Sequence, residues 1–319
     1  MNVIVYIVGI IGIFLAIYVN LPQPDLSSKL TEWKRNGTIL NFKGMNIFYI
    51  DEAGSGSSGP LICLHGFPSS SYDWIKILPQ LKQQFTRIVL LDFLGFGFSD
   101  KPKHHTYTIA EQADIVEELT TYLNIKNSHI LAHDYGDTVA LELLARHNSK
   151  QIKFQILSLV MLNGGVFPET HHPRLIQKIL LTPVLGYIAG HFYCRPIFSI
   201  GFSEIFGNNK PTPEDIQDFW AAIRYNNGDR VFYRLINYLR ERQIFKKKWV
   251  GALQLTHVNV LMIYGPADPI NPPEFASLFR NTVPHPIVTL ASNIGHYPQL
   301  EDPYNVGREL LDFVKKLTV

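Results

Sequence analysis

Cysteine is scarce in this sequence: the 319 residues include two, Cys63 and Cys194. That count excludes a disulfide framework, and no cysteine or histidine spacing suits a metal site. The doublets His104-His105 and His171-His172 lack the i, i+4 partners that a helical metal site would use. Charge of one sign is also scarce, with a formal net charge of +2. No basic stripe with interleaved aromatics appears, which argues against nucleic acid as a partner. The densest positive run, Lys246-Lys247-Lys248, reads as a solvated helix end. No G-x-S-x-G is present at the expected nucleophile turn, which argues against a serine hydrolase. "GFGFSD" holds glycines but lacks the setting of a dinucleotide fingerprint.

The chain does contain apolar residues in quantity, at 46% of the total. Val3 to Val19, "VIVYIVGIIGIFLAIYV", carries no charge and would extend about 26 Å as a helix. It lacks the basic n-region and small-x-small site of a cleaved signal peptide. It is expected to be a single-pass membrane anchor, within residues 1–22. Lys29, Lys34 and Arg35 follow it and favour a cytosolic main domain. The sequon at Asn36 would matter only in the lumen. A linker is expected over residues 23–35.

Beyond the linker, buried-strand runs such as "PLICLHGFP", "RIVLLDF", "HILAHD", "LSLVMLNGG" and "NVLMIYGPAD" alternate with helical patterns. This alternation predicts a doubly wound, mostly parallel α/β sheet. Residues 36–165 and 256–319 form the expected core. Between them, 166–255 is aromatic-rich, has no clean strand, and reads as a helical lid over the carboxyl ends of the strands.

The chemistry centres on "LAHDYGDTVAL". A strand, a tight turn and a helix form the setting of a nucleophile elbow, and the turn presents Asp134. Ala132 and Gly136 are small, as that turn requires, whereas Asp137 is larger than the residue usually found there. His296 follows the last strand as a candidate base, and Asp268 follows the preceding one as a candidate orienting acid. The order nucleophile, acid, histidine is that of the α/β hydrolases. The backbone N–H groups of Phe67, in "HGFP", and Tyr135 are the candidate oxyanion hole.

"HGFPSSSYDW", "DFLGFGFSD", "HDYG" and "GHYPQLEDP" resemble the α/β-hydrolase superfamily, in particular its epoxide hydrolase and haloalkane dehalogenase branch. "LDFLGFGFSDKP", "KKWVGAL" and "YGPADPINP" are similar in order and spacing to the mesoderm-specific transcript family. That resemblance implies an α/β-hydrolase fold, an endoplasmic-reticulum membrane location and a hydrolase without a cofactor. The branch resemblance implies an aspartate nucleophile that forms an alkyl–enzyme ester and a lid tyrosine that protonates an epoxide oxygen; Tyr238 is the candidate, one residue out of the family's register. Phe67 and Tyr135 stand where dehalogenases commonly use asparagine and tryptophan to hold halide, so an epoxide is expected over a halide. The apolar lid and the anchor suggest a lipophilic substrate. The alternatives are a catalytically silent member that binds a lipid or protein partner, and acyl chemistry from a different nucleophile.

Overall fold

The computed structural model describes residues 5–7, 9, 10, 12 and 22–317. Most of the expected anchor, residues 3–19, therefore lies outside the described residues. Among the described residues no helix is long and apolar enough to cross a membrane.

Eight strands form one sheet in the order β1-β2-β4-β3-β5-β6-β7-β8. Thr38–Phe42 (β1) and Met45–Ala53 (β2) make an antiparallel hairpin around Lys43-Gly44, both at positive φ. β2 runs antiparallel to Arg87–Leu91 (β4). From there the sheet is parallel through Leu61–Leu64 (β3), Asn127–His133 (β5), Gln155–Leu162 (β6), Asn259–Tyr264 (β7) and Ile287–Thr289 (β8). The runs in β3, β4 and β5 are buried on both faces (Ile62, Leu90, Ile130 and Leu131 are in the core) because helices cover both sides.

The order matters for function. β3 lies between β4 and β5, so the chain goes to one side of β3 and then returns to the other. Loops leaving β3, β5, β6 and β7 thus open at adjacent carboxyl ends, where α/β folds place their ligands.

The expected linker is partly structured. Ser28–Arg35 is a helix (α1), capped by Ser27, and it buries Leu30 and Trp33 against the core. Two buried side chains one turn apart make it a packed element. Core helices are Leu78–Gln84 (α2), Ile109–Tyr122 (α3) and Tyr135–Asn148 (α4).

The region between β6 and β7 is helical, as Leu175–Leu180 (α5), Pro183–His191 (α6), Arg195–Glu204 (α7), Pro213–Arg224 (α8), Phe232–Leu235 (α9), Tyr238–Ile244 (α10) and Lys246–Leu255 (α11). The last of these departs from the expected lid boundary at residue 255. Trp249 and Lys248 bond the buried Glu142 of α4, and Asn148 donates to the carbonyl of Ala252. α11 is therefore a crossover helix of the core, and its basic start is paired: Lys246 with Glu169, Lys248 with Glu142. Pro273–Thr282 (α12), Pro298–Glu301 (α13) and Pro303–Lys315 (α14) complete the chain.

Candidate active site

β5 ends at His133 and α4 begins at Tyr135, leaving Asp134 as the whole turn. Its φ of 45° and ψ of −100° are strained for a residue with a side chain, at a cost on the order of 1–3 kcal/mol. The fold holds it there through close packing. A Cβ on Gly136 would lie 2.2 Å from the Leu64 carbonyl oxygen, so only glycine lets α4 start this close to β3. Asp137 also finds room through a glycine, since a Cβ on Gly164 would lie 1.9 Å from its carboxylate. Burial and the neighbouring Asp134 charge push the Asp137 carboxyl well up.

Asp134 is 3% exposed. One oxygen, Oδ2, accepts the Phe67 N–H at 3.2 Å. Tyr135, in the first turn of α4, offers a second N–H with no intrahelical acceptor. The other oxygen, Oδ1, accepts from the Arg242 guanidinium at 3.3 Å, while the same nitrogen bonds the Asp134 carbonyl at 2.9 Å. Arg242 Nε donates to Thr138 at 2.8 Å. Burial opposes the charge on Asp134, but Arg242, then His296, outweigh it and hold the carboxyl below its ordinary value.

His296 follows β8 and is 1% exposed. Its Nδ1 lies 2.8 Å from Asp268 Oδ2. Burial opposes protonation, but Asp268 and then Asp134 raise the imidazole above 6.5. The loop carrying His296 is tied down by Glu301, which accepts from the N–H groups of Gly207, Gly295 and Tyr297. Asp268 is enclosed by donors: the Ile270 N–H at 2.8 Å, Asn163 at 3.0 Å and Asn271 at 3.2 Å. Asn163, at the end of β6 with φ 45°, also spans to Gly265 through both ends of its amide. It fixes the β7 loop to the β6 end.

"HGFP" is positioned by buried side chains. His65 Nδ1 donates to the Gly66 carbonyl and Nε2 accepts from the Phe93 N–H, which sets a neutral tautomer. Asp73 accepts from Gly66 N and from Ser69. The Phe67–Pro68 bond is cis.

All the residues singled out from sequence meet here. Asp134, Asp268 and His296 converge, Phe67 aims its N–H at Asp134, and Tyr238 enters from α10 despite its shifted register. Its ring packs 5.0 Å from Tyr135 and 6.0 Å from Phe67. Its hydroxyl has no well-formed hydrogen bond. Burial and the nearby Asp134 charge raise its pKa.

Sequence reasoning missed Arg242, Asn163, Asn271 and His171. Arg242 is one helical turn beyond Tyr238 and its guanidinium lies 4.6 Å from that ring, so i, i+4 spacing was the available signal. Burial and Arg242 hold His171 near pKa 4, and neither ring nitrogen is hydrogen-bonded. Among the described residues, no cluster of three His, Cys, Asp or Glu could hold a metal ion.

Phe67 and Pro68 also form one wall of an apolar cavity of about 240 Å³. The lid supplies most of the rest, including Leu180, Tyr193, Phe198, Phe202 and Phe232, and Ile270 of the β7 loop completes it.

The family model for the alpha/beta hydrolase fold matches residues 59–303. The chain belongs to the α/β-hydrolase family. Mouse mesoderm-specific transcript protein is 46% identical over 96% of this chain and 94% of its own length. The putative hydrolase LipZ of Mycobacterium tuberculosis is 35% identical over 87% of this chain and 95% of its own. Among solved structures, the haloalkane dehalogenase DbeA of Bradyrhizobium elkani superposes with TM-score 0.75 at 21% identity, covering 88% of this chain and 98% of that one. This α/β hydrolase therefore shares its fold with dehalogenases, and its elbow carries a carboxylate.

Proposed function

We propose that this protein is a membrane-anchored hydrolase of a lipophilic epoxide that works through an alkyl–enzyme ester. The supporting observation is the buried arrangement of Asp134 at a strained elbow, the Phe67 N–H on one of its oxygens and the His296–Asp268 pair beside it. A carboxylate suits this task because attack on saturated carbon gives an ester, whereas attack on an ester would give an unstable anhydride.

Asp134 Oδ1 attacks a ring carbon, the ring C–O bond breaks, and Tyr238 protonates the departing oxygen. His296 then takes a proton from water, which attacks the carbonyl carbon of the ester. The N–H groups of Phe67 and Tyr135 stabilise the oxyanion. Collapse of the intermediate frees the diol, whose oxygen takes the proton from His296. Asp134 returns its carboxyl proton to Tyr238. Asp268 keeps the His296 ring oriented and stabilises its charged form.

Residues 3–19 supply the membrane anchor in this reading. The relation to the mesoderm-specific transcript family supports placement in the endoplasmic-reticulum membrane, and Lys29, Lys34 and Arg35 after the segment support a cytosolic catalytic domain.

One observation favours a catalytically silent lipid- or partner-binding member: Arg242 occupies the oxygen that would attack. Trapping separates the two readings. In His296→Gln, with fatty and aryl epoxides, the peptide containing Asp134 is expected to gain the mass of one epoxide. The gain is expected to vanish in His296→Gln/Asp134→Ala. A folded His296→Gln protein that forms no adduct with any epoxide, while its cavity still takes up apolar ligands, would leave the silent reading standing.

A further inference from the structure

The lid presents an apolar surface that is exposed among the described residues. Leu175 on α5, Val184, Leu185, Tyr187 and Ile188 on α6, and Ile197 and Ile200 on α7 are all exposed, Leu175 at 75% and Ile200 at 72%. Scattered apolar side chains are ordinary on a surface, but a set of seven on three successive helices marks a docking site. Three of these residues, Leu175, Ile197 and Ile200, also line the cavity beside Phe67. The surface and the cavity beside Phe67 are therefore continuous.

Charge identifies the occupant. From Thr170 to Glu204 the chain contains Arg174, Lys178 and Arg195 against one acid, Glu204, which is paired with Arg174. An apolar face whose flanking charges are net positive suits a bilayer surface with anionic headgroups.

The start of the domain points the same way. The Gln23 side chain accepts a hydrogen bond from the Asn226 N–H at 3.2 Å, in the kink between α8 and α9. Gly190 of α6 packs against the backbone of Asp229 and Arg230 just beyond that kink. The chain thus enters the domain beside α6. Val19, the end of the uncharged segment, is at most about 14 Å of extended chain from Gln23. The described apolar residues of that segment, Val5, Tyr6, Ile7 and Ile10, are exposed and do not cover the lid.

We propose that the α5–α7 face of the lid lies on the bilayer that residues 3–19 enter, so that lipophilic substrate passes from the membrane into the cavity. This rests on the anchor proposed above. Substrate would then leave the bilayer without crossing water, and the two membrane contacts would fix the orientation of the domain.

The test uses the full chain with Cys194→Ser, in nanodiscs of phosphatidylcholine and phosphatidylglycerol; Cys63 is fully buried. An environment-sensitive fluorophore is placed at Leu185→Cys, at Ile200→Cys, or at Leu255→Cys, an exposed position just before β7 and at the opposite end of the sheet. Acyl-chain-brominated lipid is expected to quench the labels at 185 and 200 several-fold more than the label at 255. Aqueous iodide is expected to show the reverse order. Equal quenching at all three positions, with the chain still in the nanodisc fraction, would overturn lid docking and leave the anchor standing. Loss of the chain from the nanodisc fraction would overturn both.

Discussion

The two carboxylates of the site have different surroundings. Asp268 is held within the core by the Ile270 N–H, Asn163, Asn271 and His296, all on the loops after β6, β7 and β8. Asp134 is divided between two bodies. Its Oδ2 is held by Phe67 of the core, and its Oδ1 by Arg242 of the lid helix α10. An acid that only orients histidine needs permanence, and a neutral donor shell provides it without a competing charge. A nucleophile needs one oxygen free at the moment of attack. At 3.3 Å the Arg242 contact is longer than a strong charge-assisted bond, and it is made from a lid helix rather than from the sheet. In the proposed mechanism the core fixes the carboxylate, and Arg242 of the lid holds the oxygen that attacks.

The largest expected effect is on the core side. Asp268→Asn preserves shape but donates to His296 where an acceptor is required, and favours the wrong tautomer. The ester-hydrolysing step is expected to slow by about 10⁴-fold. Because Asp268 raises the His296 imidazole, the pH limb that reports its deprotonation is expected to move to lower pH. Single-turnover release of product from the ester checks the rate, and the pH profile checks the shift. An unchanged rate would remove Asp268 from the mechanism.

Next in size is the lid's proposed proton donor. The Tyr238 hydroxyl is buried beside the Asp134 carboxylate in a poorly formed hydrogen bond, so Tyr238→Phe removes that weak contact and keeps the ring packing. Its unfolding midpoint is expected to stay within the range of a neutral substitution, about 0.5 kcal/mol. Formation of the alkyl–enzyme is expected to slow by about 10²-fold, the lower end for a lost general acid. Paired thermal unfolding and adduct kinetics separate the two effects. A large loss of stability with no change in rate would make Tyr238 a packing residue.

Much of this difference between core and lid was present in the sequence, and the reason is physical. Strands buried on both faces need unbroken apolar runs, so β3 through β7 stand out. Their carboxyl ends are followed by turn residues, so Asp134, Asp268 and His296 could be placed from chain order alone. The lid follows weaker rules. Arg242 lies in "YLRERQ", where the ordinary expectation for arginine is solvent, and only the fold shows it buried against Asp134. Asn163 looks like a turn residue, although it is the strut between the ends of β6 and β7. Asp137 looks like a departure from the elbow pattern, yet Gly164 provides the space it needs from a different strand. α1 looks like linker because it is short and follows two prolines; Leu30 and Trp33 become anchors only when a core is there to receive them.

Arg242→Met tests the link between lid and core most directly, although its effect on maximal rate is expected to be the smallest. Methionine keeps an apolar stem of similar length but removes the charge that outweighs burial around Asp134. The carboxyl pKa is then expected to rise. Native Asp134 lies below 3.8, so its ionised form stabilises the fold above that value and the contribution is lost as pH falls through the folded pKa. In the variant this contribution disappears or reverses sign. Attack requires the ionised carboxylate, so the acid limb of kcat/KM is expected to move to higher pH. Above that limb the rate is expected to stay within about tenfold of wild type, because Phe67, Tyr135 and His296 are untouched and Oδ1 is freed. A pH profile of adduct formation reads both quantities. An acid limb that does not move would mean that the core alone sets the Asp134 charge, and the division of this carboxylate between two bodies would have no chemical consequence.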